Sequence, residues 1–384
     1  MTDTVAVLGA GYAGTKAVAA LQSLLDDETD LVWISDTDYH LVLHESHRII
    51  RDPSVEEHIR IPIEDVTNSD TRFLEGRVES IDVENREIGL EDGETVAYDY
   101  ALVAIGSRTA FYGIPGLSEY AHTLEGVVDA LAIHEDLVDA AEAATPEEPA
   151  QVVVGGAGLS GIQVAGEIAE YRDEHDAAVE IHLVEALDEV FPGNPESVQQ
   201  ALRSRLEDID VQIHTDDPIT EATSERITFD NGSPLEHDVL IWTGGITGRH
   251  ALAGAGIETE HERIVTEATF ETSDERVFAV GDAALIEQND SVAPPTAQAA
   301  WQAGDVAAKN LVRRMREEEL RTWSFDDKGT VISIGERAVA HDVKLFPIET
   351  FGGFMAKTLK KFIAARWIAS VTSWGRARRA WPVL

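Results

Sequence analysis

Apolar positions along the chain fall into short unbroken runs, each delivered into glycine, followed by longer alanine-rich stretches. The pattern appears first from Val5 to Leu21, VAVLGAGYAGTKAVAAL, and again from Val152 to Glu170, VVVGGAGLSGIQVAGEIAE. In both, a β-branched run enters a Gly-x-Gly-x-x-Gly turn and leaves as a helix-favouring segment. Runs that are apolar at every position fit strands covered on both faces. A second such run follows each copy, LVWISD closing at Asp36 and IHLVE closing at Glu185. Alternating runs come next, FLEGRVESIDV and REIGLEDGETV, broken at Asp92-Gly93 as a hairpin would be. They end in a strand running into Gly106. The later stretch DNGSPLEHDVLIWTGGITGR repeats this, with Asn231-Gly232 as its turn and Gly244 at its strand end. The same order at nearly the same spacing predicts a duplicated unit. An amphipathic helix around 127–144 and a Pro- and Glu-rich loop at 145–149 join the copies.

The glycines Gly9, Gly11 and Gly14, and their counterparts Gly156, Gly158 and Gly161, have a chemical reason to be there. The first permits a tight turn, the second lets backbone approach a pyrophosphate, and the third lets the helix pack on its strand. Asp36 and Glu185 then stand where a carboxylate accepts the ribose hydroxyls of an adenine dinucleotide. No arginine follows Glu185 closely, which favours NADH over NADPH. The competing reading, two βα turns that bind nothing, has to explain two motifs and two acids at once.

Composition narrows the classes. The 384 residues suffice for two or three domains, and a formal net charge of −41 repels nucleic acid and suits a halophilic host. There is no cysteine, which excludes disulfides, cysteine-held iron–sulfur clusters and electron transfer through a cysteine pair. No leader is visible at the N-terminus, and no apolar run reaches the roughly 18 residues of a spanning helix. The chain is therefore expected on the cytosolic side. His40, His44 and His47 could share a helix face as metal ligands, but no further ligand spacing supports that, and packing near the cofactor is the alternative.

Two later segments carry candidate chemistry. In TSDERVFAVGDAAL a strand delivers Gly281 and Asp282 to a turn at the carboxyl end of a sheet. In APPTAQAAWQAGDVAAKNL, Thr296 can cap a helix that starts at Ala297 and carries Gln298 and Gln302 on one face. From Phe351 to Leu384 the chain changes character, with seven Lys or Arg and no Asp or Glu, and tryptophans at 367, 374 and 381. A helix from Met355 to Trp374 gathers Leu359, Ile363, Trp367, Val371 and Trp374 on one side. That reads as an amphipathic segment lying on a membrane surface. A basic helix docked on the protein's own acidic surface, or a contact to a second copy in a homodimer, are the other readings.

In combination these motifs resemble the flavoproteins with two dinucleotide-binding domains, and among them the type II NADH:quinone oxidoreductases. The resemblance implies an α/β fold of two Rossmann-like domains, FAD held at 1–115 and 250–335, NADH at 116–249, and a membrane-associating region at 336–384. It implies that Gly9, Gly11, Gly14, Asp36, Gly106, Asp282 and Ala297 bind FAD, and that Gly156, Gly158, Gly161, Glu185 and Gly244 bind NADH. It further implies a peripheral, non-pumping enzyme at the cytoplasmic face of the membrane that passes electrons to quinone. The family's Ala-Gln-x-Ala-x-Gln quinone motif stands at Ala297 to Gln302, so Gln298 and Gln302 could bond a quinone carbonyl, or be plain solvated side chains. Glu167 of the family's Gly-Glu pair is a candidate carboxylate, or else a buried structural residue; Gln163 stands where many relatives carry glutamate. A sulfide:quinone oxidoreductase, a ferredoxin-type reductase and a flavin redox sensor without turnover are the rivals.

Overall fold

The computed structural model describes residues 3–288, 291–344 and 348–384; Met1 and Thr2, from which the absence of a leader was read, lie outside them. Five parallel strands form the first sheet, in the order Val277–Ala279, Tyr100–Val103, Asp3–Leu8, Thr29–Ser35 and Thr71–Glu75. Four parallel strands form the second, ordered Val211–His214, Val179–Val184, Ala150–Gly155 and Val239–Trp242. In each, the strand that enters the glycine turn lies inside, with the next strand on one flank and the last on the other. Val5 to Leu8 and Val152 to Val154 are fully buried, as strands covered on both faces must be.

Each half also carries a three-stranded antiparallel meander, Val78–Asp82, Glu87–Leu90 and Thr95–Ala97 in the first and Ile219–Ala222, Arg226–Phe229 and Pro234–Glu236 in the second. Gly93 and Gly232, at φ +87° and +81°, make the turns that the Asp-Gly and Asn-Gly pairs predict. The duplication read from spacing is thus present strand by strand.

The chain then returns to the first half. Val277–Ala279 joins the first sheet beside Tyr100–Val103. The helix Ala297–Met315 crosses Tyr12–Leu24 so closely that a Cβ on Gly304 would stand 2.5 Å from the Ala13 carbonyl. A further antiparallel sheet follows, Thr330–Ile334, Arg337–His341 and Thr350–Gly352. Residues 335 and 336, between which a boundary was expected, join its first two strands. This hairpin lies directly on the helix Leu159–His175, where a Cβ on Gly166 would meet the Gly335 nitrogen at 2.5 Å.

The tail differs from its expected form. It is two helices, Phe354–Val371 and Trp374–Ala380, and the side expected to lie on a membrane is divided between interior and surface. Trp367 is fully buried and Val371 nearly so, while Ile363 and Trp374 are exposed. The helix packs through its small positions, Ala356, Ala364 and Ala365, together with Lys360, Trp367 and Ile368. Trp367 belongs to the same apolar core as Val5, so the tail is part of the body and not a detachable anchor. Phe354, Met355, Phe362, Ile363, Trp374 and Trp381 remain on the outside. Of the tail's cations, Lys357 pairs with Glu336 and Arg376 with Asp65, so the protein's own acids take a share. Arg366, Arg378 and Arg379 stay exposed. Among the described residues no helix is long and apolar enough to cross a membrane.

Candidate functional site

Two cradles are built on one plan. Gly9 has φ +102° and a Cβ there would lie 2.3 Å from the Ala104 carbonyl; Gly156 has φ +95° and its Cβ would lie 2.8 Å from Gly244. A Cβ on Gly14 would stand 2.0 Å from the Gly9 carbonyl, and one on Gly161 1.8 Å from that of Gly156. Gly11 and Gly158, the middle glycines, face open space. That vacancy at the mouth of a helix N-terminus is what an approaching pyrophosphate requires. The clamps differ. In the first cradle the Trp33 indole donates to the Gly9 carbonyl at 3.0 Å. In the second the Thr243 hydroxyl donates to the carbonyls of Gly155 and Gly156 at 3.1 and 2.9 Å.

The two acids stand in unlike settings. Glu185 is only 8% exposed, and its carboxylate accepts the N–H of Ala157 at 2.8 Å and of Leu187 at 3.1 Å. With Gly156, Gly158, Trp242, Gly244 and Asp217 it lines a cavity of about 320 Å³, within the range of small-molecule sites. Asp36 is exposed just past Thr29–Ser35. Gly106, at φ +70°, follows the strand Tyr100–Val103 at the same sheet end. Asp282 sits past Val277–Ala279; its backbone carbonyl accepts Arg263 Nε at 2.8 Å. Burial raises the Asp282 carboxyl, and Arg263 opposes the shift. Asp282 shares a small cavity with Ala299 and Ala300, in the first turn of the helix that Ala297 opens and the Thr296 hydroxyl caps. The residues expected around each dinucleotide are thus brought together in two groups. Both groups fit a dinucleotide: the middle glycines are open in each, and in the second a carboxylate lines the cavity.

Gln298 and Gln302 are not side chains waiting for a ligand. Gln298 accepts Lys328 N–H at 2.8 Å and donates to Gly329 O at 3.3 Å; Gln302 accepts Asp326 N–H at 3.1 Å and donates to Asp326 O at 2.9 Å. Both amides therefore hold the backbone of 326–329 against the helix. The motif residue that meets the tail is Trp301, whose ring lies 4.7 Å from that of Trp367, with Arg366 over the Trp301 ring at 5.5 Å.

The seam between the halves carries buried charge. Glu167, fully buried on Leu159–His175, faces Arg51 at 3.2 Å, Arg48 at 3.9 Å and His47 at 3.9 Å. Burial pushes its carboxyl up to about 7 against the pull of Arg48 and Arg51. Glu45 is also fully buried, bonded to Arg48 at 2.6 Å and 3.9 Å from Lys360 of the tail. Burial would raise that carboxyl, but Lys360 and Arg48 hold it below the usual range. Burial lowers Lys360 to about 8, with Glu45 opposing. Ser333 of the hairpin joins Lys360 at 2.6 Å, His47 at 3.0 Å and Gln163 at 3.1 Å.

The three histidines do not share a helix face. His40 lies in the strand Tyr39–Leu41, and His44 and His47 in the 3-10 helix Leu43–Ile50. Each has its own partner: the Ala10 carbonyl at 2.7 Å, the Tyr12 hydroxyl and the Ser333 hydroxyl. Arg48, Arg51 and Lys360 are the residues sequence reasoning missed, and Trp367, read as part of a membrane-facing side, is fully buried. The only sequence signal for Lys360 is a cation set among the apolar positions of the tail helix.

Comparison with known proteins accords with this architecture. Residues 3–304 match the family described as pyridine nucleotide-disulphide oxidoreductase. A type II NADH:quinone oxidoreductase of Staphylococcus saprophyticus is 28% identical over 94% of both chains. One from Staphylococcus haemolyticus is 29% identical over 97% of both. Among solved structures, NDH2 from Plasmodium falciparum in complex with NADH has a TM-score of 0.82 at 16% identity, covering 100% of this chain and 97% of its own. The sulfide:quinone oxidoreductase of Aquifex aeolicus also reaches 0.82, at 17% identity, covering 96% of this chain and 91% of its own. The two structures are equally near in fold, so the fold does not choose between their activities. The paired glycine cradles and the match over residues 3–304 establish that the chain belongs to the pyridine nucleotide-disulphide oxidoreductase family.

Proposed function

We propose that this protein is a type II NADH:quinone oxidoreductase, holding FAD in its first cradle and taking NADH in its second. The observation that carries the reading is that relatives of that name match over 94–97% of both chains, far past residue 304 where the family match stops. The C-terminal unit that closes over the first cradle is thus part of the likeness. Sulfur chemistry through cysteines is closed to a chain that has none.

Gly9, Gly11, Gly14, Asp36, Gly106, Asp282 and Ala297 hold FAD, and Gly156, Gly158, Gly161, Glu185 and Gly244 hold NADH. Bound FAD supplies the two-electron chemistry between nicotinamide and quinone. The chain supplies the rest. Glu185 accepts the ribose hydroxyls, and its fixed negative charge, with Asp217 on the same cavity wall, disfavours a 2′-phosphate. Glu167 holds a proton near neutral pH at the seam between the halves. Gln298 and Gln302 act by fixing the segment 326–329. The outward face with Phe362, Ile363, Trp374 and Trp381, edged by Arg366, Arg378 and Arg379, rests on the inner membrane surface, where quinone is met. The net charge of −41 suits concentrated salt.

The test is NADH oxidation by purified, FAD-loaded protein in molar salt with a short-chain quinone. Rapid, quinone-dependent turnover is expected, with NADPH a much poorer donor. Reduction of flavin by NADH without quinone turnover would leave a sensor or a reductase for another carrier.

A further inference from the structure

The first glycine loop is held from outside as well as from within, and the outside hold comes from the far end of the chain. Ala10, between Gly9 and Gly11, offers its carbonyl to His40 Nδ1 at 2.7 Å and to the Thr15 hydroxyl at 3.1 Å. A carbonyl only accepts, so Nδ1 carries the proton. The other ring nitrogen, Nε2, is then an acceptor, and it receives the Trp367 indole N–H at 2.8 Å. An indole N–H only donates. Both ends of the imidazole thus fix the same tautomer, and both side chains are fully buried. Burial keeps the His40 ring neutral by lowering it to about 4. The Tyr12 ring, next after Gly11, completes the contact at 4.9 Å from Trp367 and 5.2 Å from His40.

We propose that His40 and Trp367 are positioning residues, through which the C-terminal helix holds the Gly9–Gly11 loop in the shape that binds FAD. The inference rests on assigning the first cradle to FAD. The second cradle is clamped instead by Thr243, a residue of its own half. Loss of the link therefore weakens one cofactor and spares the other. Without the indole N–H, the buried imidazole nitrogen loses its donor, and the ring is free to leave Ala10.

The experiment uses the full chain, stripped of flavin and titrated with FAD in concentrated salt while flavin fluorescence is followed. Trp367→Phe keeps most of the volume and removes the donor; His40→Leu removes both bonds. Each is expected to weaken FAD by roughly tenfold, the scale of one buried hydrogen bond. NADH affinity of the FAD-saturated variants should stay within about twofold. The double variant should be no weaker than His40→Leu alone, because the two residues act through each other. Ile368→Ala, a fully buried change on the same helix, serves as the control for general loosening of the tail. Additive effects in the double variant would overturn the proposal. So would equal FAD weakening by Ile368→Ala, or unchanged FAD affinity in Trp367→Phe. Wild-type protein that takes up no FAD at all would overturn the cofactor assignment instead, a separately visible outcome.

Discussion

The two cradles share their glycine geometry and differ in almost everything around it. In the first, the loop is pinned by Trp33 from its own sheet and by His40, itself bonded to a tail residue more than three hundred positions away. In the second, the clamp is Thr243, the carboxylate of Glu185 is bonded to neighbouring backbone, and the cavity stands ready. On the proposed assignment of FAD to the first cradle and NADH to the second, the difference is that between a resident group and a visiting one. A cofactor kept through many turnovers calls for a loop gripped from several sides, whereas a substrate that comes and goes calls for a preformed pocket with a clear mouth.

The comparison is broken most severely by filling the third glycine of each cradle. Gly14→Ala puts a methyl 2.0 Å from the Gly9 carbonyl, and Gly161→Ala one 1.8 Å from the Gly156 carbonyl. The first change should give colourless protein, and the second yellow protein whose flavin NADH no longer reduces, both visible in anaerobic spectra. Loss of flavin in both would mean the cradles are not independent. A smaller effect separates the acids. Glu185→Ala removes an acceptor from two backbone N–H groups, and bonds to charged groups contribute about 1.5–3 kcal/mol each, so its denaturation midpoint should fall clearly. Asp36→Ala, at an exposed site, should leave the midpoint in place while weakening FAD. A shared response would erase the contrast.

The smallest effect is a slope. The folded Glu167 carboxyl keeps its proton up to about 7, whereas an unfolded one gives it up near 4.5. Between those values the folded state binds more protons, so rising pH removes stability, by at most about 1.4 kcal/mol per pH unit. Glu167→Gln lacks this slope. The midpoint of wild type relative to the variant should therefore fall from pH 4.5 to 7 and then level off. A flat difference would show that Glu167 is ionised throughout.

What could be read from sequence was whatever is local. A glycine turn, its strand and its acid lie within about thirty residues, and the Asp-Gly and Asn-Gly hairpins announce themselves in two. The repeat of that order gave the duplicated architecture. The tail's packing face was misread because periodicity counts large apolar residues, and this helix packs through alanines and a lysine as well as Trp367 and Ile368. Lys360 looks like surface until Glu45 and Ser333 arrive from elsewhere in the chain to receive it. The roles of Gln298 and Gln302 were hidden for the same reason, since their backbone partners at 326–329 have no signature of their own.

The close approach of hairpin to helix at Gly166 has an engineering corollary. Residues 330–384 cannot be transplanted as an address label onto an unrelated reductase, because the graft would bring a cation and an indole shaped for sockets its new host lacks. A recombinant swap among relatives must carry across the recipient side as well, meaning the small residue at 166 and the receiving face of 40–51, or the crossover point will behave as a fault line.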